Sequence, residues 1–277
     1  MESERGDIER RLQRMEAEMQ WQKEDTERKL QRLEADMRKQ DSESKLQRIK
    51  AEMQWQKQDM ERKLRRMEAE MQKEVLYRGL LKQDKKYEAV KQYAVDVILD
   101  PDTAFPHLTL YPDGKQVNEV GEWKNLPDTP HRFSHNGYVL GKRGFSSGRF
   151  YFEVQVSGKS RWTLGIIREN VNRKGHIDLS PQKGVWAVRL WDETEYKACA
   201  DPETPLTLKE KLEKIGVFVD YEEGLVSFYN AGSRSHIYSF TGQYFNEKKL
   251  YPLLCPWNNA DNKNSTPLII TPVCKTE

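Results

Sequence analysis

The sequence predicts a long, charged α-helical coiled coil followed by an all-β sandwich of two mostly antiparallel sheets. Glu, Lys, Arg, Gln and Met dominate about the first 90 residues, and neither Gly nor Pro occurs between positions 7 and 78. All 12 prolines and most aromatic residues lie after position 95. Apolar residues recur at helical spacing in the first part and alternate at strand spacing in the second. We therefore expect a helical region at 1–94 and a sandwich at 95–277.

The helical region contains an internal repeat. Each copy places apolar residues at gaps of three and four, for example Leu12, Met15 and Met19, which is the narrow stripe of a helix that buries one face. The remaining residues are strong helix formers with opposite charges four positions apart. The four near copies are ERRLQRMEAEM (9–19), ERKLQRLEADM (27–37), ESKLQRIKAEM (43–53) and ERKLRRMEAEM (61–71).

The spacing of the copies predicts an interruption in the helix. Successive copies begin 18, 16 and 18 residues apart. Eighteen residues make five full turns, whereas sixteen place the second pair of copies on the opposite side of a straight helix. A break between Lys39 and Ser44 would remove this conflict. Asp41 and Ser42 favour a turn there, and Ser44 with Gln47 could form a capping box.

The stripe predicts self-association through residues 1–78, with a dimer as the expected form and the parallel or antiparallel arrangement left open. An isolated charged helix that binds nothing is the remaining alternative. A tetratricopeptide array has the same 34-residue period, but it needs turns that this region lacks. A basic amphipathic membrane helix is disfavoured because acidic and basic residues alternate along the stripe's flanks.

The second region contains short alternating segments separated by turn residues, which indicates a sandwich. In "GVWAVRLW", Trp186, Val188 and Leu190 alternate with Ala187, Arg189 and Trp191. We assign the first set to the core and expect Arg189 and Trp191 on the opposite face. The alternative is that a neighbouring loop covers Trp191.

Several motifs of this region resemble the PRY-SPRY domain of tripartite-motif proteins and butyrophilin tails. They are "DVILDPDTAFPHLTLYPDGKQV" (96–117), "LPDTPHRF" (126–133), "VLGKRGFSSGRFYFEVQV" (139–156), "WTLGII" (162–167) and "GVFVDYEEGLVSFYN" (216–230). The family's usual Trp-Glu-Val is Phe152-Glu153-Val154 here. The resemblance implies a two-sheet recognition module without catalytic activity, and a role in immune signalling. No zinc-bound RING or B-box precedes it, so we expect no ubiquitin-ligase activity from this chain.

The sequence shows no motif for catalysis, a cofactor or a metal. The five histidines lack metal-ligand spacing, and the three cysteines form no CxxC pair. No nucleophile elbow, phosphate loop or dinucleotide fingerprint occurs. With 46 basic and 44 acidic residues the chain has no basic excess that would favour nucleic acid. It has no secretory signal and no run of 18 apolar residues, so we expect a cytoplasmic protein.

A protein partner is therefore the expected ligand of the sandwich loops. An exposed Trp beside an Arg is typical of an interface centre, which selects Arg189 and Trp191. Further candidate partner-binding residues lie in neighbouring loops. The family resemblance implies that these loops border the recognition surface of the domain. The predicted partner-binding residues are Tyr111, Arg189, Trp191, Tyr196, Trp257 and Asn258.

The alternative function is a sensor that binds a small anion. Some butyrophilin domains that this region resembles hold phosphorylated metabolites in a basic pocket. Asn136-Gly137 stands where those proteins carry a His-Tyr pair, which argues against that ligand here. The predicted anion-binding residues are Arg173, Lys174, His176 and Lys197, with Arg189 as a further source of positive charge.

Overall fold

The computed structural model describes residues 2–37, 43–119, 123–257 and 266–274. The chain divides into two compact units, residues 1–81 and 82–277. Among the described residues two α-helices are defined: α1 spans Glu2–Met37 and α2 spans Glu43–Lys91. The last turns of α2, from Lys82 onward, belong to the second unit.

In the first unit, the apolar stripe is half-buried along both helices. Leu30 of α1 and Met53 of α2 line one groove, so the two helices lie side by side. Opposite charges four residues apart support each helix at corresponding places of the repeat. The Asp25–Lys29 oxygen–nitrogen distance is 2.7 Å, and that of Asp59–Lys63 is 2.8 Å. The interruption expected between Lys39 and Ser44 falls mainly on residues 38–42, which lie outside the described residues, and it stays a prediction.

The second unit is built from β-strands, thirteen of which are defined among its described residues. They are β1 Leu108–Leu110, β2 Gln116–Glu119, β3 Val139–Leu140, β4 Arg149–Gln155, β5 Trp162–Arg168, β6 Val185–Trp191, β7 Glu195–Ala198, β8 Thr204–Pro205, β9 Lys214–Asp220, β10 Leu225–Asn230, β11 Ser235–Phe240, β12 Leu250–Cys255 and β13 Leu268–Thr271. A short 3-10 helix, Pro181–Lys183, precedes β6.

The strands form two antiparallel sheets. The first sheet has seven strands in the order β1-β2-β13-β4-β9-β10-β11. The second has six strands in the order β3-β12-β5-β6-β7-β8. Neighbouring strands within each sheet run antiparallel. The predicted fold class, a helical region followed by a two-sheet sandwich, is confirmed.

The main core lies between the two sheets and follows the alternation of the sequence. On β4, Phe150 and Phe152 are buried in it. On β6, Trp186, Val188 and Leu190 are at most 2% exposed, which confirms their assignment to the core. Side chains at every second position share one face of a strand, so these residues meet across the sandwich.

The outer face of the second sheet is also covered over part of its area. Ala187 of β6 and Leu253 of β12 are buried there in a second cluster. Phe133 and Tyr138, which come from the segment before β3, complete this cluster and are 1% exposed. The strands under this cover therefore have apolar residues on both faces, as the buried Ala187 between buried neighbours shows.

The last turns of α2 cover the outer face of the first sheet. Tyr87 and Val90 of the helix form a third buried cluster with Tyr151, Phe218 and Tyr229 of strands β4, β9 and β10. The Tyr87 and Tyr151 rings meet edge to face at 6.2 Å between centroids. Aromatic residues thus attach this part of the helix to the sheet.

A buried carboxylate joins the same helix to the sheet through hydrogen bonds. Glu153 of β4 is 3% exposed. Its Oε1 accepts hydrogen bonds from the hydroxyls of Tyr87 at 2.9 Å and Tyr151 at 3.0 Å. Its Oε2 lies 2.8 Å from Nζ of Lys214. Burial raises the pKa of both tyrosines, so both hydroxyls remain protonated donors at neutral pH.

These contacts place the start of the compact unit at Lys82, whereas the sequence analysis placed the start of the sandwich at 95. The boundary of the folded domain at 95 stays a prediction. Tyr87 and Val90 continue the helix but pack against strands. We propose that an independently folding sandwich domain includes residues 82–94.

A chain truncated to 95–277 should therefore be much less stable than one comprising 82–277. Removal of Tyr87 and Val90 exposes three aromatic residues and leaves Glu153 with one fewer partner. We expect the free energy of unfolding to fall by at least about 3 kcal/mol, the usual loss for one buried aromatic side chain. Urea unfolding of the two fragments measures this difference. Equal free energies of unfolding would show that the helical turns do not stabilise the sandwich.

Candidate partner-binding groove

An open groove of about 570 Å³ lies beside the end of β6, on the outer face of the second sheet. We call it the tryptophan groove, because Trp191 and Trp257 form one wall. It begins where the cover over Ala187 ends. Its lining residues are Asn136, Tyr138, His176, Ile177, Asp178, Leu179, Ser180, Lys183, Arg189, Trp191, Ala200, Asp201, Glu203 and Trp257.

Trp191 is the last residue of β6 and is half-buried. Arg161, in the loop before β5, stacks on its ring with the guanidinium carbon 4.3 Å from the ring centroid. Nε of the same arginine donates to Oδ1 of Asp192 at 2.9 Å. Asp192 and Glu193 begin the turn after β6 in left-handed backbone conformations, with φ of 48° and 68°. The salt bridge and the stacked guanidinium together hold this turn and the indole in place.

Trp257 reaches the same place from the end of β12. Its backbone turns left-handed there, with φ of 36°. Its indole Nε1 donates to Oγ1 of Thr163, on the outer face of β5, at 3.1 Å. The rings of Trp191 and Trp257 meet edge to face, with centroids 5.7 Å apart and planes at 81°. A hydrogen bond and a ring contact thus orient both indoles while part of each stays open to solvent.

Arg189 forms the charged part of the wall. Its Nη2 donates to Oε2 of Glu203 at 2.7 Å. Its guanidinium carbon lies 5.6 Å from the centroid of the Trp191 ring. Among the residues that the structure describes, its buried Nε–H finds no acceptor. A buried donor without a partner is unfavourable, so an acceptor brought by a ligand would stabilise this side chain.

The groove contains more acidic than basic groups. Asp178, Asp201 and Glu203 line it together with Lys183 and Arg189. Glu203 already neutralises the arginine. His176 is also present, with Nε2 3.5 Å from Oδ1 of Asp178. A small multiply charged anion would meet these carboxylates, which disfavours such a ligand.

The structure brings together three of the predicted partner-binding residues: Arg189, Trp191 and Trp257 all line the groove. Tyr111 is 41% exposed, but it follows β1 at the edge of the first sheet and is not a lining residue. Asn258 lies outside the described residues. Whether any of these residues binds a partner stays a prediction.

Tyr196 differs from its expected placement, because it is only 8% exposed and belongs to the main core. Its hydroxyl accepts a hydrogen bond from the backbone N–H of Leu212 at 3.2 Å. In the β6–β7 hairpin Tyr196 lies directly opposite Leu190. Residues directly opposite in an antiparallel pair share one face, so Tyr196 points inward with Leu190 rather than outward with Arg189.

The residues predicted to bind an anion do not converge. Lys174 pairs with Asp128, and Nζ of Lys197 lies 3.3 Å from the Glu195 carboxylate. Nη1 of Arg173 donates to the carbonyl of His131 at 2.8 Å. Burial lowers the pKa of this arginine. His176 alone among the four lines the groove. Each lysine thus already has a carboxylate partner within the domain.

Several residues that shape the groove are not identified by the sequence pattern. Arg161 and Thr163 hold the two indoles, while Asp178 and Glu203 supply the negative charge. The alternation of "WTLGII" does place Thr163 on the face opposite Trp162. Its position beside Arg189, however, follows only from the pairing of β5 with β6. The loop residues carry no periodic signal that could have identified them.

Other chemistry has little support among the described residues. No group of three or more His, Cys, Asp or Glu side chains there could hold a metal ion. Cys199 and Cys255 are buried. Burial raises the pKa of the Cys199 thiol to about 12 and also that of Cys255, so both remain protonated and poorly nucleophilic. None of the described helices is both long and apolar enough to cross a membrane.

Comparison with known proteins agrees with the fold. Residues 97–145 match the SPRY-associated domain, and residues 149–266 match the SPRY domain. The chain is 42% identical to mouse E3 ubiquitin-protein ligase TRIM69 over 62% of its own length and 34% of the relative. It is 42% identical to bovine butyrophilin subfamily 1 member A1 over 70% of its length and 36% of the relative.

The chain thus spans about a third of the length of these two relatives. The solved TRIM65 PSpry domain has the same fold, with a TM-score of 0.54 and 21% identity over 66% of this chain and 93% of that one. The matched segments contain strands β1 to β12 of the sandwich, and the tryptophan groove lies within them. Residues 97–266 therefore form a PRY-SPRY domain of the kind found in tripartite-motif and butyrophilin proteins.

Proposed function

We propose that this chain is a non-catalytic interaction protein whose tryptophan groove binds a segment of another protein. The observation that supports this most is the joint exposure of Trp191, Trp257 and Arg189 in one groove. Tryptophan and arginine are enriched among the residues that contribute most to binding energy at protein interfaces. Because Arg161 and Thr163 fix the indoles, little conformational entropy is lost when a partner packs against them.

The polar groups of the groove favour a peptide segment over a small anion. The Arg189 Nε–H needs one acceptor, which a main-chain carbonyl of an extended segment would supply. Asp178 and Asp201 would accept hydrogen bonds from main-chain N–H groups or basic side chains. A phosphorylated metabolite would instead approach three carboxylates while the nearby arginine is already paired with Glu203.

We also propose that the helical unit associates with a second copy of itself. Two helices side by side leave the apolar stripe half-buried, as at Leu30 and Met53, so a further helical surface could cover it. The repeat supports this view because both helices carry the same stripe. Self-association would give the chain two or more PRY-SPRY domains and hence higher avidity for a multivalent partner. The family resemblance alone supports a place in immune signalling.

Loss of the Trp191 side chain should remove partner binding with little effect on folding. We expect the full chain to capture a specific protein from a cell extract and the Trp191→Ala variant to lose it by roughly tenfold or more, as for an interface centre. Quantitative mass spectrometry of the captured proteins measures the loss. Trp186→Ala should instead lower the free energy of unfolding by roughly 3–5 kcal/mol, because it opens a cavity in the core.

Trp123→Ala is the matched control, since Trp123 is 63% exposed but is not a lining residue of the groove. This variant should retain the captured protein. If wild type and Trp191→Ala capture the same proteins in equal amounts, the groove is not the binding site. If Trp191→Ala unfolds as readily as Trp186→Ala, the indole serves the fold rather than recognition.

Charged substitutions in the stripe should abolish self-association. We expect the full chain to sediment as a dimer at micromolar concentration, and Leu30→Glu with Leu64→Glu to give a monomer, because a buried carboxylate without a partner is unfavourable. Gln13→Glu with Gln47→Glu adds the same charge at exposed positions of the same repeat and should remain dimeric. A monomeric wild-type chain would contradict the proposed association.

A further inference from the structure

Each helix of the first unit carries an exposed tryptophan that neither the apolar stripe nor the tryptophan groove explains. Trp21 of α1 is 60% exposed and Trp55 of α2 is 63% exposed. They stand at the same place in the repeat, in "WQKEDTERKL" and "WQKQDMERKL". A single exposed aromatic residue is common on protein surfaces, but here it recurs at the same place in both copies of the repeat.

The residues around each tryptophan form a distinct face. Several positions lie within about 40° of the tryptophan around a helix. Among them are those seven and four residues before it and those seven, eleven and fourteen residues after it. On both helices these positions hold Arg, Ala, Arg, Arg and Ala. We call this the Arg-Trp face, and all its residues are exposed. On α1 they are Arg14, Ala17, Trp21, Arg28, Arg32 and Ala35, and on α2 they are Arg48, Ala51, Trp55, Arg62, Arg66 and Ala69.

The repeat preserves the six residues of this face, although Arg10, which also lies within 40° of Trp21, is replaced by Ser44 on α2. None of the six positions differs between the two helices. The stripe, in contrast, changes from Met15 to Ile49 and from Leu33 to Met67. A stripe that packs loosely tolerates such exchanges of one apolar residue for another. An unchanged solvent-facing Arg-Trp pattern indicates a requirement other than helix packing.

The arginines of the Arg-Trp face keep most of their donors available, although Nε of Arg28 donates to the carbonyl of Glu24 at 3.3 Å. In the described part of both helices, none of the six is in an ion pair with a carboxylate. Asp25 on α1 and Asp59 on α2, four residues after the tryptophan, lie within the same 40° and are hydrogen-bonded to Lys29 and Lys63 respectively. That hydrogen bond is the largest cause that lowers the pKa of each carboxyl, and the charges of two nearby arginines, Arg28 and Arg32 on α1 and Arg62 and Arg66 on α2, lower it further.

We propose that each Arg-Trp face binds an acidic helical segment of a partner protein, one segment per helix. Guanidinium groups recognise carboxylates through paired hydrogen bonds, and the indole between them would receive an apolar side chain. The face extends over ~27 Å from its first to its last arginine, the length of a helix of about 18 residues. The expected segment therefore has carboxylates toward both ends and an apolar residue near its middle.

The charge of the helices argues against a polyanion as the occupant. Positions 10–37 hold seven basic and seven acidic residues. A nucleic acid or an anionic lipid surface would contact the flanking acids as well as the arginines, so the net attraction would be small. A single helix, in contrast, can present its carboxylates to the Arg-Trp face alone. A second copy of this chain would present arginines to arginines if the two faces met.

Titration calorimetry of the full chain tests the proposal through its stoichiometry. The probe is a synthetic 18-residue helical peptide of Glu, Ala and Leu, with its carboxylates and one central Leu on the same face. We expect two peptides per chain for wild type, one for Trp21→Ala, one for Trp55→Ala and none for the double variant. The same peptide with Gln in place of Glu should bind roughly tenfold more weakly or worse. Trp123→Ala, which removes an equally exposed tryptophan elsewhere, should leave two sites.

Several results would overturn the proposal. They are no binding of the Glu peptide, a stoichiometry that the tryptophan variants leave unchanged, or equal affinity for the Gln peptide. Tryptophan-dependent binding of an oligouridylate or of vesicles containing phosphatidylserine, without binding of the peptide, would assign the face to a polyanion. Sedimentation of the double variant completes the test. A change in oligomeric state there would make the face a contact between copies of this chain.

Discussion

Both sheets carry apolar side chains on their outer faces, where the opposite sheet cannot reach them. The segments that cover these faces determine much of the structure of the second unit. A sandwich buries only its two inner faces. Tyr151 and Phe218 on the first sheet, and Ala187 and Leu253 on the second, are nevertheless buried. Each set is therefore buried by a segment from outside the sheets. This requirement determines where those covering segments lie.

On the first sheet the cover is the end of a helix, and its attachment is partly polar. Glu153 is almost fully buried among aromatic rings, where an unpaired carboxylate would be strongly unfavourable. Two tyrosine hydroxyls and one lysine satisfy it. Since one of those hydroxyls belongs to Tyr87, the helix completes a hydrogen-bond network as well as an apolar contact. This dependence explains why the unit begins before the first strand.

On the second sheet the cover ends between Ala187 and Arg189, and the tryptophan groove exists because of that edge. Beyond that edge the outward-pointing Arg189 and Trp191 of β6 are half-buried. Arg161 and Trp257 flank Trp191 there. The β6–β7 hairpin places Lys197 directly opposite Arg189. Glu195 and Glu203 pair with these two cations, so the groove does not become a basic pocket.

The limits of the sequence analysis follow from the same geometry. Alternation along β6 correctly separated Trp186, Val188 and Leu190 from Arg189 and Trp191, because the period of a strand depends on the backbone alone. The position of Tyr196 depends on how β7 pairs with β6, which no periodicity within one strand reveals. The start of the unit and the partners of Trp191 likewise depend on contacts between distant segments. Periodicity is a local signal, whereas the groove is formed by the edge of a cover that comes from elsewhere in the chain.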